Sequence, residues 1–75
     1  MDLRTTFAVN VVRLRRAKGL SQEALADEAG VNRSYLARIE TGRPYVGLEV
    51  IGKLAEALEV DPTELLKLPA KRRRS

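Results

Sequence analysis

The stretch Gln22–Glu40, QEALADEAGVNRSYLARIE, decides how the rest of the chain is read. Its apolar residues Leu25, Ala29, Val31, Leu36 and Ile39 recur at helical spacing on either side of Gly30, which predicts two short amphipathic helices meeting at a tight turn. Ala26 is small where the two helices must approach closely, and Gly30 sits where the turn calls for a left-handed backbone. Both starts carry polar caps. Ser21 can accept from an orphan backbone N–H, with Glu23 in the first turn where the helix dipole favours an anion, and Asn32 plays the capping part for the next helix. That next helix, third in the chain, is expected to run to about Thr41, ahead of Gly42.

At about 100° per residue the third helix turns Tyr35, Leu36 and Ile39 to one side and Arg33, Ser34, Ala37, Arg38 and Thr41 to the other. The outward set is short residues between two arginines. Ser34, Ala37 and Thr41 would let the helix backbone enter a major groove, where the Arg33 and Arg38 forks match guanine O6 and N7. Ala37 offers only apolar contact, for example with a thymine methyl. Thr41 is open to two readings, a contact to the DNA backbone or service at the helix end. Tyr35 reads as a core-edge residue with its hydroxyl outward.

Outward from this pair, Thr6–Lys18 predicts a first helix with Phe7, Val11 and Leu14 on one stripe, stopping at Gly19. Residues 43–47 form the one substantial loop, and a fourth helix is expected over Leu48–Leu58. A fifth should start with Asp61 as N-cap, Pro62 at the first helical position and Glu64 completing a capping box, and run out near Leu68-Pro69. No segment alternates strictly between bounding turns, so the expected fold class is all-α, a five-helix bundle. One domain over residues 1–69 would be followed by a disordered basic tail, 70–75, AKRRRS.

A 75-residue chain with 44% hydrophobic, 32% charged and 4% aromatic residues has a core of Leu, Val, Ile and Ala. A domain this small buries only about 60% of its unfolded surface, so a partner subunit would help it. Without Cys or His it has no disulfide staple, none of the usual zinc constellations and no common catalytic base, so no metal, no cofactor and no enzyme activity are expected. Its three serines, Ser21, Ser34 and Ser75, occupy a cap, an outward face and a terminus. No apolar run approaches the roughly 20 residues of a membrane span, no glycine loop cradles phosphate, and no small-molecule ligand is evident. A cytoplasmic, nucleoid-associated setting is expected. The net charge of +4 is concentrated at Lys71, Arg72, Arg73 and Arg74; without them ten basic residues face ten acidic ones. Residues 4–18 carry Arg4, Arg13, Arg15, Arg16 and Lys18 with no acid, whereas Glu49, Glu56, Glu59, Asp61 and Glu64 oppose only Lys53, implying one basic and one acidic face. The tail is either a solvated charge run or a salt-sensitive attraction to phosphates.

Gln22–Glu40 resembles the phage-repressor and Cro type of helix-turn-helix domain, the XRE family, and the likeness extends over residues 7–68. The resemblance implies a regulator that binds double-stranded DNA as a homodimer, reading a palindromic operator with its third helix in the major groove. Half-sites one helical turn apart, about 34 Å, need two such helices held at that separation. By position, Arg33, Ser34 and Arg38 match the family's base-reading residues, Gln22, Asn32 and Arg43 match contacts to the DNA backbone, and Arg15 and Glu40 match a buried ion pair joining the first helix to the third. Tyr45, Val46, Val60, Leu65, Leu66 and Leu68 are candidates for the two-fold interface or for closing the monomer core.

Arg33-Ser34-Tyr35, Leu36 and Ile39-Glu40, with Val46 and Leu48, are also similar to the controller proteins of restriction-modification systems. Pro44 stands where controllers tend to place a basic residue, and Gly47 replaces the usual Ser or Thr cap of the fourth helix. An antitoxin-like autoregulator is a neighbouring possibility. From another class comes a protein-interaction adaptor built on the same scaffold.

Overall fold

The computed structural model describes residues 2–68 and places in order α1 (Leu3–Ala17), α2 (Gln22–Ala29), α3 (Arg33–Ile39) and α4 (Leu48–Leu58), then a single 3-10 turn, Pro62–Leu65. The expected tail, residues 70–75, lies outside the described residues. The helices of the decisive stretch form as their caps dictate. Ser21 Oγ accepts from the Ala24 N–H at 3.0 Å, Asn32 Oδ1 accepts from the Tyr35 N–H at 3.2 Å, and Gly30 closes α2 at φ 72°.

Three boundaries differ from expectation. α1 begins three residues before Thr6, because Asp2 has an extended backbone and its carboxylate accepts from the Arg4 N–H at 2.9 Å, which caps a longer helix. α3 stops at Ile39 rather than Thr41: the Thr41 N–H turns back to the Arg38 carbonyl and Gly42 takes φ 81°. The fifth helix is only a 3-10 turn, so the bundle has four α-helices among the described residues. Asp61 does cap it, but Glu64 reaches forward to Lys67 at 2.8 Å instead of back, and no capping box forms. The physical reason is Pro69, which has no N–H to return to the Leu65 carbonyl and so leaves no room for a second α-turn; the fully buried Asn10 amide donates to that carbonyl instead, at 2.9 Å, and to the Lys67 carbonyl at 2.8 Å.

The core joins Phe7 and Val11 of α1, Leu25, Ala26 and Ala29 of α2, Leu36 and Ile39 of α3, Leu54, Ala55 and Leu58 of α4, and Leu65. α4 and the 3-10 turn therefore form the floor on which the α2–α3 pair rests, and α3 is left with its other side free. α4 ends at Glu59, a non-glycine residue in the left-handed region (φ 60°, ψ 43°), where the Val60 N–H closes onto the Ala55 carbonyl. No helix among the described residues is long and apolar enough to cross a membrane.

Candidate nucleic-acid interface

α3 is a seven-residue helix with two different sides. Leu36 and Ile39 are buried, Tyr35 is half-buried against the core, and Arg33, Ser34 and Arg38 are exposed on the outer side with the half-buried Ala37 between them. The Arg38 guanidinium lies 5.5 Å from the centroid of the Tyr35 ring, so the core-edge tyrosine supports an outward arginine from below. Arg33 takes part in no ion pair among the described residues, which leaves its whole donor fork available.

What holds α3 at its angle is a polar cluster under its C-terminal end. Arg15 Nε donates to Glu40 Oε2 at 2.7 Å, Arg15 Nη2 to Glu40 Oε1 at 3.1 Å, and Arg15 Nη1 to the Leu20 carbonyl at 2.8 Å. Both partners are nearly enclosed, with side chains 12% and 7% exposed. The same Glu40 carboxylate accepts from Gln22 Nε2 at 2.9 Å, so one carboxylate ties α1, the start of α2 and the end of α3. Gln22 thus has a structural partner, and one amide hydrogen remains for anything outside. The other residues expected at the DNA backbone divide. Asn32 is exposed, with its side-chain oxygen engaged in capping α3. The Thr41 hydroxyl donates to the Arg38 carbonyl and so serves the helix end. The Arg43 side chain is exposed on the loop after α3, and its backbone carbonyl accepts from Arg4 Nη1 at 3.0 Å.

The apolar residues set aside as interface or core also divide. Leu65 is fully buried, and Val60 packs against the core; both close the monomer. Tyr45, Leu66 and Leu68 are exposed, Tyr45 at 79%, and Val46 is half-buried. Tyr45, Val46 and Leu66 line one shallow apolar hollow with Leu3, Leu48 and Ile51. Leu48 is 86% exposed, and neither it nor Leu3 is marked by local spacing as a candidate for this face. Two polar residues also escaped the sequence reading. Asn10 had a signal: it interrupts the apolar run Phe7–Val12 on the buried stripe of α1. Arg4 had none, because its partners beyond Asp2 lie some forty positions away at Arg43 and Tyr45.

The Arg4 side chain and N–H hold the Asp2 carboxyl below its ordinary value, the Lys18 ammonium does the same for Glu59, and the Thr63 N–H and hydroxyl for Asp61. All three are surface groups, and none sits on the outer side of α3. The arrangement offers fixed cations and small side chains, which suits recognition and not proton transfer.

Residues 11–65 match the model of the helix-turn-helix family HTH_3. The uncharacterized HTH-type transcriptional regulator y4dJ of Sinorhizobium fredii is 39% identical over 66 residues, covering 88% of this chain and 86% of that protein. Control protein C.BamHI of Bacillus amyloliquefaciens is 39% identical over 66 residues, covering 87% and 82%. The crystal structure of the restriction-modification controller protein C.AhdI from Aeromonas hydrophila superposes with a TM-score of 0.80 at 47% identity, covering 83% of this chain and 94% of that one.

Proposed function

The chain belongs to the HTH_3 helix-turn-helix family of transcriptional regulators and has restriction-modification controllers among its relatives, and from this we propose that it is a sequence-specific regulator that reads a palindromic DNA site as a homodimer. The observation that carries the reading is the outer side of α3, where Arg33 and Arg38 flank Ser34 and Ala37 with no large apolar side chain among them. A docking helix for a protein partner would instead present an apolar stripe. With α3 in the major groove, Arg33 and Arg38 take guanine edges, Ser34 an adjacent base and Ala37 a thymine methyl. Gln22, Asn32 and Arg43 supply the contacts that position the domain on phosphates without reading sequence, whereas Thr41 spends both its N–H and its hydroxyl on the Arg38 carbonyl and serves the helix end.

The second copy belongs on the hollow formed by Leu3, Tyr45, Val46, Leu48, Ile51 and Leu66, and the exposed Leu68 is a further candidate for the same interface. Exposed leucines and a tyrosine on one side of so small a domain are what a self-complementary interface buries. The likeness to C.BamHI and C.AhdI favours a controller-type role.

Selection of binding sequences from random duplexes at stated salt tests the whole reading. A palindromic consensus is expected, and Arg33→Ala and Arg38→Ala should each relax preference at one position of each half-site by about 1–3 kcal/mol. If both variants stay folded and keep the same affinity and the same preference, base reading by α3 is withdrawn.

A further inference from the structure

Arg4 has no part in the reading above, yet it is the residue that touches both surfaces used there. Its Nε and Nη2 face the Asp2 carboxylate, at 3.3 Å to Oδ1 and 2.9 Å to Oδ2, while Nη1 donates to the Arg43 carbonyl at 3.0 Å. The Cζ of the same guanidinium lies over the Tyr45 ring, 4.2 Å from its centroid. Asp2 is in turn fixed as the cap of α1. Apart from Val46, which packs against the core, the loop has no backbone anchor of its own: no backbone-to-backbone hydrogen bond involves residues 43–46 among the described residues. One rigid fork therefore ties Arg43, at the proposed phosphate rim, and Tyr45, on the proposed subunit face, to the start of α1.

We propose that Arg4 is a positioning residue that couples subunit pairing to phosphate contact. This rests on the homodimeric DNA-binding reading given above. Docking of a second copy on Tyr45 excludes water from the Arg4–Asp2 pair and from the guanidinium over the ring, and both attractions strengthen as the local dielectric falls. The loop is then ordered before DNA arrives, so the Arg43 side chain is delivered to its phosphate at lower entropic cost. By reciprocity, DNA binding tightens the pairing of the subunits. A lysine cannot replace Arg4, because an ammonium lacks the flat fork that spans a carboxylate, a carbonyl and a ring face at once.

A double-mutant cycle tests this with mixed-sequence duplex DNA as the probe, since phosphate contact does not depend on sequence. Arg43→Ala removes the phosphate charge but keeps the backbone carbonyl that Arg4 holds. Each of Arg43→Ala and Arg4→Ala is expected to lower the salt-dependence slope of binding by about 0.9 per subunit, and the double variant to lower it no further. In sedimentation, Arg4→Ala should also abolish the tightening of subunit pairing by duplex that the parent protein shows. Arg4→Lys should resemble Arg4→Ala in both measurements, and circular dichroism should show all variants folded. If Arg4→Ala fails to fold, Tyr45→Leu, which keeps an apolar face but removes the ring beneath the guanidinium, must reproduce the loss of tightening. Additive slope losses, or restoration by Arg4→Lys, would show that Arg4 is itself a phosphate contact and overturn the coupling. An unchanged slope in Arg43→Ala overturns both this proposal and the phosphate reading of Arg43. A parent protein that stays monomeric with and without duplex overturns the coupling together with the dimer.

Discussion

Two arginines of α1 make nearly the same set of bonds in opposite surroundings. Arg15 engages a carboxylate with two nitrogens and a backbone carbonyl with the third, and so does Arg4. Arg15 and Glu40 are 12% and 7% exposed, whereas Arg4 and Asp2 are 32% and 47% exposed. Two unit charges about 4 Å apart attract by ~1 kcal/mol in bulk water and by ~4 kcal/mol at an effective dielectric constant of about 20. Bond count is therefore not what separates them. The enclosed pair is part of what keeps the domain folded, since removing either member strands the other away from water. The open pair biases the conformation of a loop and leaves global stability nearly alone.

The largest effect that would break this contrast is expected from Arg15→Ala. It strands the Glu40 carboxylate and the Leu20 carbonyl, and urea unfolding should show a loss of about 3–5 kcal/mol, much of what so small a domain has. A loss no larger than that of a surface pair would mean that water reaches Glu40 and that the two arginines are alike. Asn10→Ala comes next, because it deletes the donors to two backbone carbonyls without stranding a charge. About 2–3 kcal/mol is expected from the same unfolding curves, with loss of order at Leu66–Leu68 visible in amide exchange. An unchanged exchange pattern there would detach Asn10 from the 3-10 turn.

The smallest effect belongs to the open pair. Arg4→Ala should leave the melting temperature within a few degrees of the parent. Its signature is in pH. Asp2 has a folded-state value below its unfolded one, so its contribution is fully present above the ordinary carboxylate range and is lost as pH falls through the depressed value. With no histidine in the chain, stability should be flat between about pH 5 and 8, and melting curves of the parent and Asp2→Asn should converge at acid pH. Curves that stay apart in acid would mean that the carboxylate is not what Asp2 contributes.

What was legible in the sequence follows the same division between near and far. The α2–α3 pair could be read because Ser21, Gly30 and Asn32 act on backbone groups within a few residues of themselves. The outer side of α3 followed from helical spacing alone. The fifth helix shrinks to one turn although its start signal, Asp61-Pro62, is genuine, because Pro69 has no N–H for the Leu65 carbonyl and the donor that replaces it, Asn10, lies more than fifty positions away. The apolar candidates Leu65 and Leu66 are neighbours in sequence with opposite fates, one fully buried and the other 40% exposed, and spacing in a four-residue turn could not separate them.

The sequence by itself determined that the chain is helical, where α2 and α3 begin, that Gly30 turns between them, and which side chains α3 turns outward. These are properties of capping, backbone freedom and a repeat of 3.6 residues, all of which operate over one or two turns of chain. Only the tertiary structure decided that Gln22 is held by Glu40, that Asn10 closes the C-terminal segment, that Leu3 and Leu48 join Tyr45 and Leu66 on one apolar hollow, and that Arg4 spans the loop after α3. Each is a meeting of residues distant in sequence, brought together when the core formed by Leu25, Leu36, Leu54 and Leu65 excludes water. The strength of every polar contact then depends on how much water that packing leaves around it.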